Sequence, residues 1–192
     1  MFAIVQNNQI IKTIQPHTAF ELSGKTYNAK WTVKMTAAEK TALGIVEVYT
    51  SPMPDQRFYW VEQQPVALVN GVPTVTFTST AKLLEDREEV DEDGNPMYVK
   101  VLGEVDGEPA MVDSEKRLVT KGLKSQWIEQ TKENANKALA ATDWYVIRKA
   151  ERDVAIPDAV IAERAKIISD CAAKEAAITA ATTVEELIAA LS

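Results

Sequence analysis

TDWYVIRKAERDVAIPDAVIAERAKII, residues Thr142 to Ile168, specifies two short helices hinged at a proline. Thr142 is placed to cap the first helix, its hydroxyl accepting from a free backbone N–H one turn on. Trp144, Ile147 and Arg148 follow at three- and four-residue spacing, which puts them on neighbouring faces of one helix. The pattern breaks over Asp153–Ile156. Pro157 restarts it, because the N–H that proline lacks would be unpaired at a first helical position anyway.

Working outward, the whole C-terminal stretch reads as helix. Leu123, Trp127, Ile128, Ala135 and Leu139 recur at helical spacing and predict a helix over Leu123–Ala141. The Thr142 segment predicts a second over Asp143–Arg152. A third is expected over Pro157–Ala181, with Ile161, Ala165, Ile168, Ala172 and Ile178 as its apolar stripe. Thr183 with Glu186 forms a capping-box pattern that starts a last short helix ending near Leu191. The stripe is rich in alanine, which lets helices approach closely and leaves a narrow face for a partner.

The N-terminal part has the period of strands. Phe2–Gln6 and Ile10–Ile14 flank Asn7-Asn8, and asparagine tolerates the positive φ of a tight hairpin. One helix interrupts the strands: Thr36 and Glu39 make a capping box over Thr36–Leu43, and Gly44 supplies a left-handed stop. Ile45–Tyr49, Arg57–Glu62, Val66–Val69 and Val72–Thr78 resume the strand pattern, with Asn70-Gly71 as a hairpin turn. Pro52, Pro54, Pro65 and Pro73 are expected to punctuate strands or mark sheet edges. Between the two halves, Glu85–Asp93 is densely acidic; Asp93-Gly94 and Asp106-Gly107 flank a short apolar run at Met97–Leu102, and Ala110–Val112 follows. This middle is read as a charged hairpin or meander, with a disordered acidic linker as the alternative. The fold class is therefore α+β. It comprises an antiparallel β-rich region (residues 1–82), an acidic hairpin insert (83–121) and an α-helical module (122–192).

Composition removes several function classes. Of 192 residues, 46% are apolar, enough for a packed core. The formal charge of -7 repels phosphate, and the basic residues form no patch, so nucleic acid is not expected as a partner. No apolar run is long enough to span a membrane, and MFAIVQNNQ lacks the features of a signal peptide. Cys171 is the only cysteine, which rules out an internal disulfide and a cysteine-based zinc cage.

The remaining candidate sites are few. Asp91, Asp93 and Asn95 alternate as in a calcium loop, but Pro96 stands where that turn needs glycine and Leu102 where it needs glutamate. His17 is the sole histidine, and no nucleophile elbow accompanies it. Paired carboxylates such as Glu88 and Glu89 are sequence neighbours and do not converge on one atom. No metal, cofactor or catalytic set is expected. Trp127, Trp144, Tyr145 and Ile147 are either local core or an exposed anchor for a partner protein, since aromatic residues and arginine dominate binding hot spots. Arg148 lies within reach of Glu151, Asp143 and Glu163 and reads as a clasp that fixes the hinge angle. Cys171 is a buried small thiol or, if it faces outward, a site for an intermolecular disulfide.

The pattern TDW…R…E…AIP…V…R, with the approach helix GLKSQWIEQTKENANKALA and the closing TTVEELIAAL, resembles the C-terminal module of the bacteriophage tail assembly chaperone family. That family commonly carries a tyrosine before the arginine of its last long helix, whereas Glu163 precedes Arg164 here. MFAIVQNNQIIKT followed by TAAEKTALGIVEVY is similar, more weakly, to the opening of small phage tail proteins. The resemblance implies a non-enzymatic protein working by protein–protein contact with tail-fibre or baseplate proteins, with homo-oligomers also open. It implies either an adaptor retained in the virion tail or a chaperone in the host cytoplasm during assembly. A tail-associated hydrolase is the disfavoured alternative.

Overall fold

β1 (Phe2–Gln6) organises the first half of the protein, because both of its faces are covered. Side chains alternate along a strand. Phe2 and Ile4 enter one apolar cluster with Ile14, Phe20, Trp31 and Ile45. Ala3 and Val5 enter another with Val48 and Val75. The computed structural model describes residues Met1–Ser192 and divides into two compact units, Met1–Thr80 and Ala81–Ser192. It is an α+β protein, with strands concentrated in the first unit and helices at the C-terminal end.

In the first unit, β1 pairs antiparallel with β2 (Gln9–Ile14) through Asn7 and Asn8, both at positive φ. A hairpin of β3 (Phe20–Leu22) and β4 (Lys25–Tyr27) follows, then α1 (Trp31–Lys34) and α2 (Ala37–Ala42). The α2 capping box forms as expected. Thr36 accepts from the Glu39 N–H, and the Glu39 carboxylate accepts from the Thr36 N–H at 2.7 Å. Those bonds hold the Glu39 carboxyl below its usual range, the backbone N–H acting most strongly. Gly44, at φ 70°, ends the turn, and its N–H and carbonyl are both used. A Cβ there would collide with the Val5 carbonyl, and the Val5 N–H donates to the Gly44 oxygen.

β5 (Ile45–Glu47) then adds to the free edge of β1. Val48 turns into the second cluster, and β6 (Tyr49–Thr50) continues in a different sheet. After β7 (Tyr59–Gln63), β8 (Ala67–Val69) and β9 (Val72–Val75) form the Asn70-Gly71 hairpin, and β10 (Phe77–Ala81) pairs with β7. The antiparallel expectation fails at one place: β6 runs parallel to β9. The inward Val48 ends the first sheet, and the long excursion through residue 71 returns the chain in the same direction. Pro73 also lies in a central strand rather than at an edge. It is tolerated because β6 pairs with β9 only from Thr74 onward, so no partner awaits the N–H that proline lacks.

Trp31 was not legible as a core residue, yet it is 2% exposed. Phe2 and Phe20 meet it edge-on at 5.1 and 5.5 Å, and its indole N–H donates to the Thr18 carbonyl at 3.0 Å.

The second unit begins with β11 (Arg87–Glu88). Then come the long strands β12 (Tyr98–Val105) and β13 (Glu108–Arg117), followed by β14 (Val119–Thr120), which pairs back with β11. The middle region thus contains a hairpin over Tyr98–Arg117, longer than its apolar residues suggested, and the densely acidic Glu85–Asp93 precedes it. Four helices follow: α3 (Leu123–Ala140), α4 (Asp143–Arg152), α5 (Asp158–Ala180) and α6 (Val184–Leu191). α5 has 23 residues, so the two helices around the proline are not both short.

Gly122 precedes α3 and offers no capping side chain. The segment before β11 does the capping instead. Asp86 Oδ1 accepts from the Gly122 N–H at 2.8 Å, and the carbonyls of Leu83 and Leu84 accept from Leu123 and Lys124. A Cβ on residue 122 would overlap the Leu84 and Glu85 backbone, so only glycine admits this approach. Ahead of α6 the expected box is displaced. Thr183 accepts from the Glu186 N–H, but the Glu186 carboxylate reaches back to the N–H and hydroxyl of Thr182.

The buried apolar side chains of this unit gather at one end: Leu123 opening α3, Ile178 near the end of α5, and Ala181, Val184 and Leu187 beyond it. α3 and α5 run antiparallel, with Thr131 beside Cys171 and Leu139 beside Arg164. No helix is long and apolar enough to cross a membrane.

Replacing Trp31 with alanine is expected to cost about 3–5 kcal/mol, from lost burial plus a cavity among aromatic rings. Urea unfolding followed by far-UV circular dichroism measures it, and a change below about 1 kcal/mol would contradict the placement of Trp31 at the centre of its cluster.

Candidate partner-binding surface

α4 contributes no buried residue. Trp144 is 49% exposed and Ile147 55%, so neither is core. Tyr145 and Arg148 are half-buried. The Trp144 and Tyr145 rings lie 3.7 Å apart, and the Arg148 guanidinium sits 4.8 Å from the first centroid and 5.3 Å from the second. This is an aromatic pair with a cation over it, arranged by the spacing of positions 144, 145 and 148 along one helix. The Nε of Arg148 has no hydrogen-bond partner within the protein.

Arg148 is therefore not the clasp that its spacing suggested. Arg164 is. Its Nη1 lies 2.9 Å from the Leu139 carbonyl, 2.7 Å from the Thr142 hydroxyl and 2.9 Å from Asp143 Oδ1. One guanidinium nitrogen of α5 thus ties together the end of α3, the connecting residue and the start of α4. Thr142 does not cap α4. Its hydroxyl donates to the Leu139 carbonyl and accepts from Arg164, so its lone pairs are aimed away from the α4 N–H groups. Arg164 was visible in the sequence as the only charge facing inward between Val160 and Ile167, but that signal needed the correct helix register.

The register of α5 differs from the expected stripe. Val160, Arg164, Ile167, Cys171, Lys174, Glu175 and Ile178 are the half-buried and buried positions, whereas Ala165 and Ala172 are exposed. Ile161 and Ile168 are 51% and 56% exposed. Isoleucine and alanine occupy adjacent positions on this helix, so two stripes about one residue apart both look apolar. The polar grip of Arg164 on the α3–α4 corner selects the second. The outward positions from Ile161 to Ala176 consequently carry isoleucine, alanine and serine interleaved with Glu163, Lys166 and Asp170, the last two ion-paired along the helix.

Trp127 is half-buried on α3. Cys171 is also half-buried, and it lies in a groove of about 330 Å3 between α3 and α5, lined also by Ala135, Leu139, Ile168 and Ala172. Its thiol donates to Glu175 Oε1 at 3.2 Å, and Glu175 is bridged to Lys132 at 3.1 Å. The hydrogen bond to Glu175, and then burial, push the Cys171 thiol above its usual range. The same bond and Lys132 hold Glu175 below the usual carboxylate range. This environment keeps the sulfur protonated. A wider recess of about 790 Å3 along α3, which shares Lys132 with the Cys171 groove, is lined by Asp86, Lys121, Glu129, Lys132 and Glu133, with Lys121 and Glu129 already paired.

Elsewhere, Asp91 closes its turn on itself by accepting from the Asn95 and Asp93 N–H groups. His17 stands at φ 58° on the surface, with Nδ1 3.3 Å from the Thr32 hydroxyl. No group of three or more histidine, cysteine, aspartate or glutamate side chains is placed to hold a metal. What the helical unit offers is an exposed aromatic and aliphatic surface on α4 together with the exposed Ile161 and Ile168 of α5.

No protein-family model, no curated protein and no solved structure matches this chain.

Replacing Arg164 with alanine is expected to cost about 1–3 kcal/mol, because it removes charge-assisted bonds at a largely buried position. Arg148→Ala is expected to cost clearly less. Paired thermal melts rank the two, and the reverse order would contradict the assignment of the clasp. At Cys171, Glu175→Ala is expected to lower the thiol's pKa and speed its alkylation by iodoacetamide at mildly alkaline pH several-fold. An unchanged rate would mean that Glu175 does not control the thiol.

Proposed function

We propose that this chain is a bacteriophage tail protein that acts by protein–protein contact at the tail-fibre or baseplate end, either as an adaptor kept in the virion or as an assembly chaperone. The observation that supports this reading best is α4, where Trp144 and Ile147 stand about half exposed on a helix with no buried residue. Apolar surface left in water forgoes about 25 cal/mol per Å2. Covering these side chains with a partner recovers that energy. The motif from Thr142 to Arg164 supports the choice of a phage tail, through its resemblance to the tail assembly chaperone family.

Tryptophan and arginine are common anchors of protein interfaces. A guanidinium already stacked on Trp144 loses little side-chain freedom when a partner arrives, which favours binding. The net charge of -7 keeps the chain soluble while an apolar face is open, a property useful before and during assembly.

Co-expression with the tail-fibre and baseplate proteins of the same phage tests the proposal. One of them is expected to co-purify with the chain, and Trp144→Asp or Ile147→Asp is expected to abolish capture without altering the circular-dichroism spectrum. Mass spectrometry of purified particles then separates the two roles: stoichiometric presence marks an adaptor, and absence with rescue of fibre solubility marks a chaperone. Failure of every tail protein to bind would overturn the proposal.

A further inference from the structure

The β12–β13 hairpin is a sheet of only two strands, and such a sheet is marginal in water without a third strand or a covering layer. Its turn, Asp106-Gly107, has both residues at positive φ, so the flanking pair Val105 and Glu108 closes the ladder with mutual hydrogen bonds. Backbone direction then alternates. The N–H and C=O groups of Lys100, Leu102 and Glu104 point away from β13, and those of Pro109, Met111 and Asp113 point away from β12. Pro109 removes a donor from the outer edge of β13. The outer edge of β12 keeps all of its donors and acceptors over these three residues. At its middle stands Leu102, 76% exposed.

We propose that β12 pairs antiparallel with β12 of a second copy of this chain, about a twofold axis at Leu102. The charges specify this register. Lys100 and Glu104 lie two residues to either side of Leu102 and on the same face as it. An axis at Leu102 sets Lys100 directly across from Glu104 of the other copy, twice. Centring the axis on Lys100 or on Glu104 instead sets like charges against each other, which is unfavourable for residues directly opposite. Lys100 already bridges Asp113 at 2.6 Å across its own hairpin, so the pairing makes two equivalent rows of alternating charge, each running Asp113, Lys100 and Glu104 of the other copy over three strands. Between those rows, Leu102 is the cross-strand neighbour of Met111, which is 60% exposed. Duplication makes an apolar row of Met111, Leu102 and their two equivalents. On the opposite face, each row runs from Val112 and Val101 to Gly103 and Ala110 of the other copy, small or apolar throughout. This inference is independent of what α4 and α5 bind.

Sedimentation velocity of the full chain, from micromolar to submillimolar concentration, is expected to show a reversible dimer. Lys100→Glu and Glu104→Lys each place like charges across the axis and are expected to weaken self-association on the order of tenfold or more. An equimolar mixture of the two variants restores both opposite-charge pairs and is expected to dimerise as the unchanged chain does. That rescue also shows that the single variants are folded. A second variant, Leu102→Pro, removes an outward N–H without touching the hairpin's own ladder and is expected to be monomeric. A chain that stays monomeric throughout, or a dimer that neither charge variant weakens, or mixed variants that fail to recover, would overturn the proposal.

Discussion

Arg164 places one guanidinium nitrogen against three oxygens at the α3–α4 corner, and the arrangement of the helical unit follows from that grip. The fully buried side chains lie at the other end, around Leu123, Ile178 and Leu187. The α4 end therefore lacks an apolar core, and a polar node stands in for it. A hydrogen-bonded node fixes direction better than it fixes burial. α4 can be held in place by it while Trp144 and Ile147 remain open to solvent. The same grip sets the rotation of α5 and turns Ile161 and Ile168 outward.

The first unit is organised on the opposite principle. β1 is covered on both faces, so each of its residues from Phe2 to Val5 has an apolar neighbourhood. Gly44 brings the end of α2 against the Val5 carbonyl, and that contact aligns β5 with the free edge of β1. Backbone bonding and side-chain packing agree there, which is the condition for one well-defined arrangement.

Much of this was legible in the sequence, for identifiable reasons. The Asn7-Asn8 and Asn70-Gly71 turns, the Thr36–Glu39 box and the start of α6 depend on neighbours within a few residues, and local chemistry decides them. β3, β4 and α1 were not legible, because a three-residue strand or a four-residue helix has no period to detect. Trp31 is core because Phe2 and Phe20 reach it across the fold, which spacing does not show. The rotation of α5 was misjudged because isoleucine and alanine alternate between two equally apolar stripes. Arg148 and Arg164 were exchanged for the same reason: each has carboxylates within reach in sequence, but only Arg164 faces the α3–α4 corner. Thr142 was assigned to the wrong partner because a hydroxyl at a helix junction can serve the helix before it as well as the one after.

The capping of α3 by Leu83, Leu84 and Asp86 has a consequence for how the chain can vary. Residues on the two sides of the hairpin meet at that junction, and β11 pairs with β14 just outside it. The stretch between those anchors leaves from and returns to one fixed point. Its length and decoration can drift, or be swapped for another excursion, while the helices keep their footing. Such a graft site lets one scaffold carry different attachments.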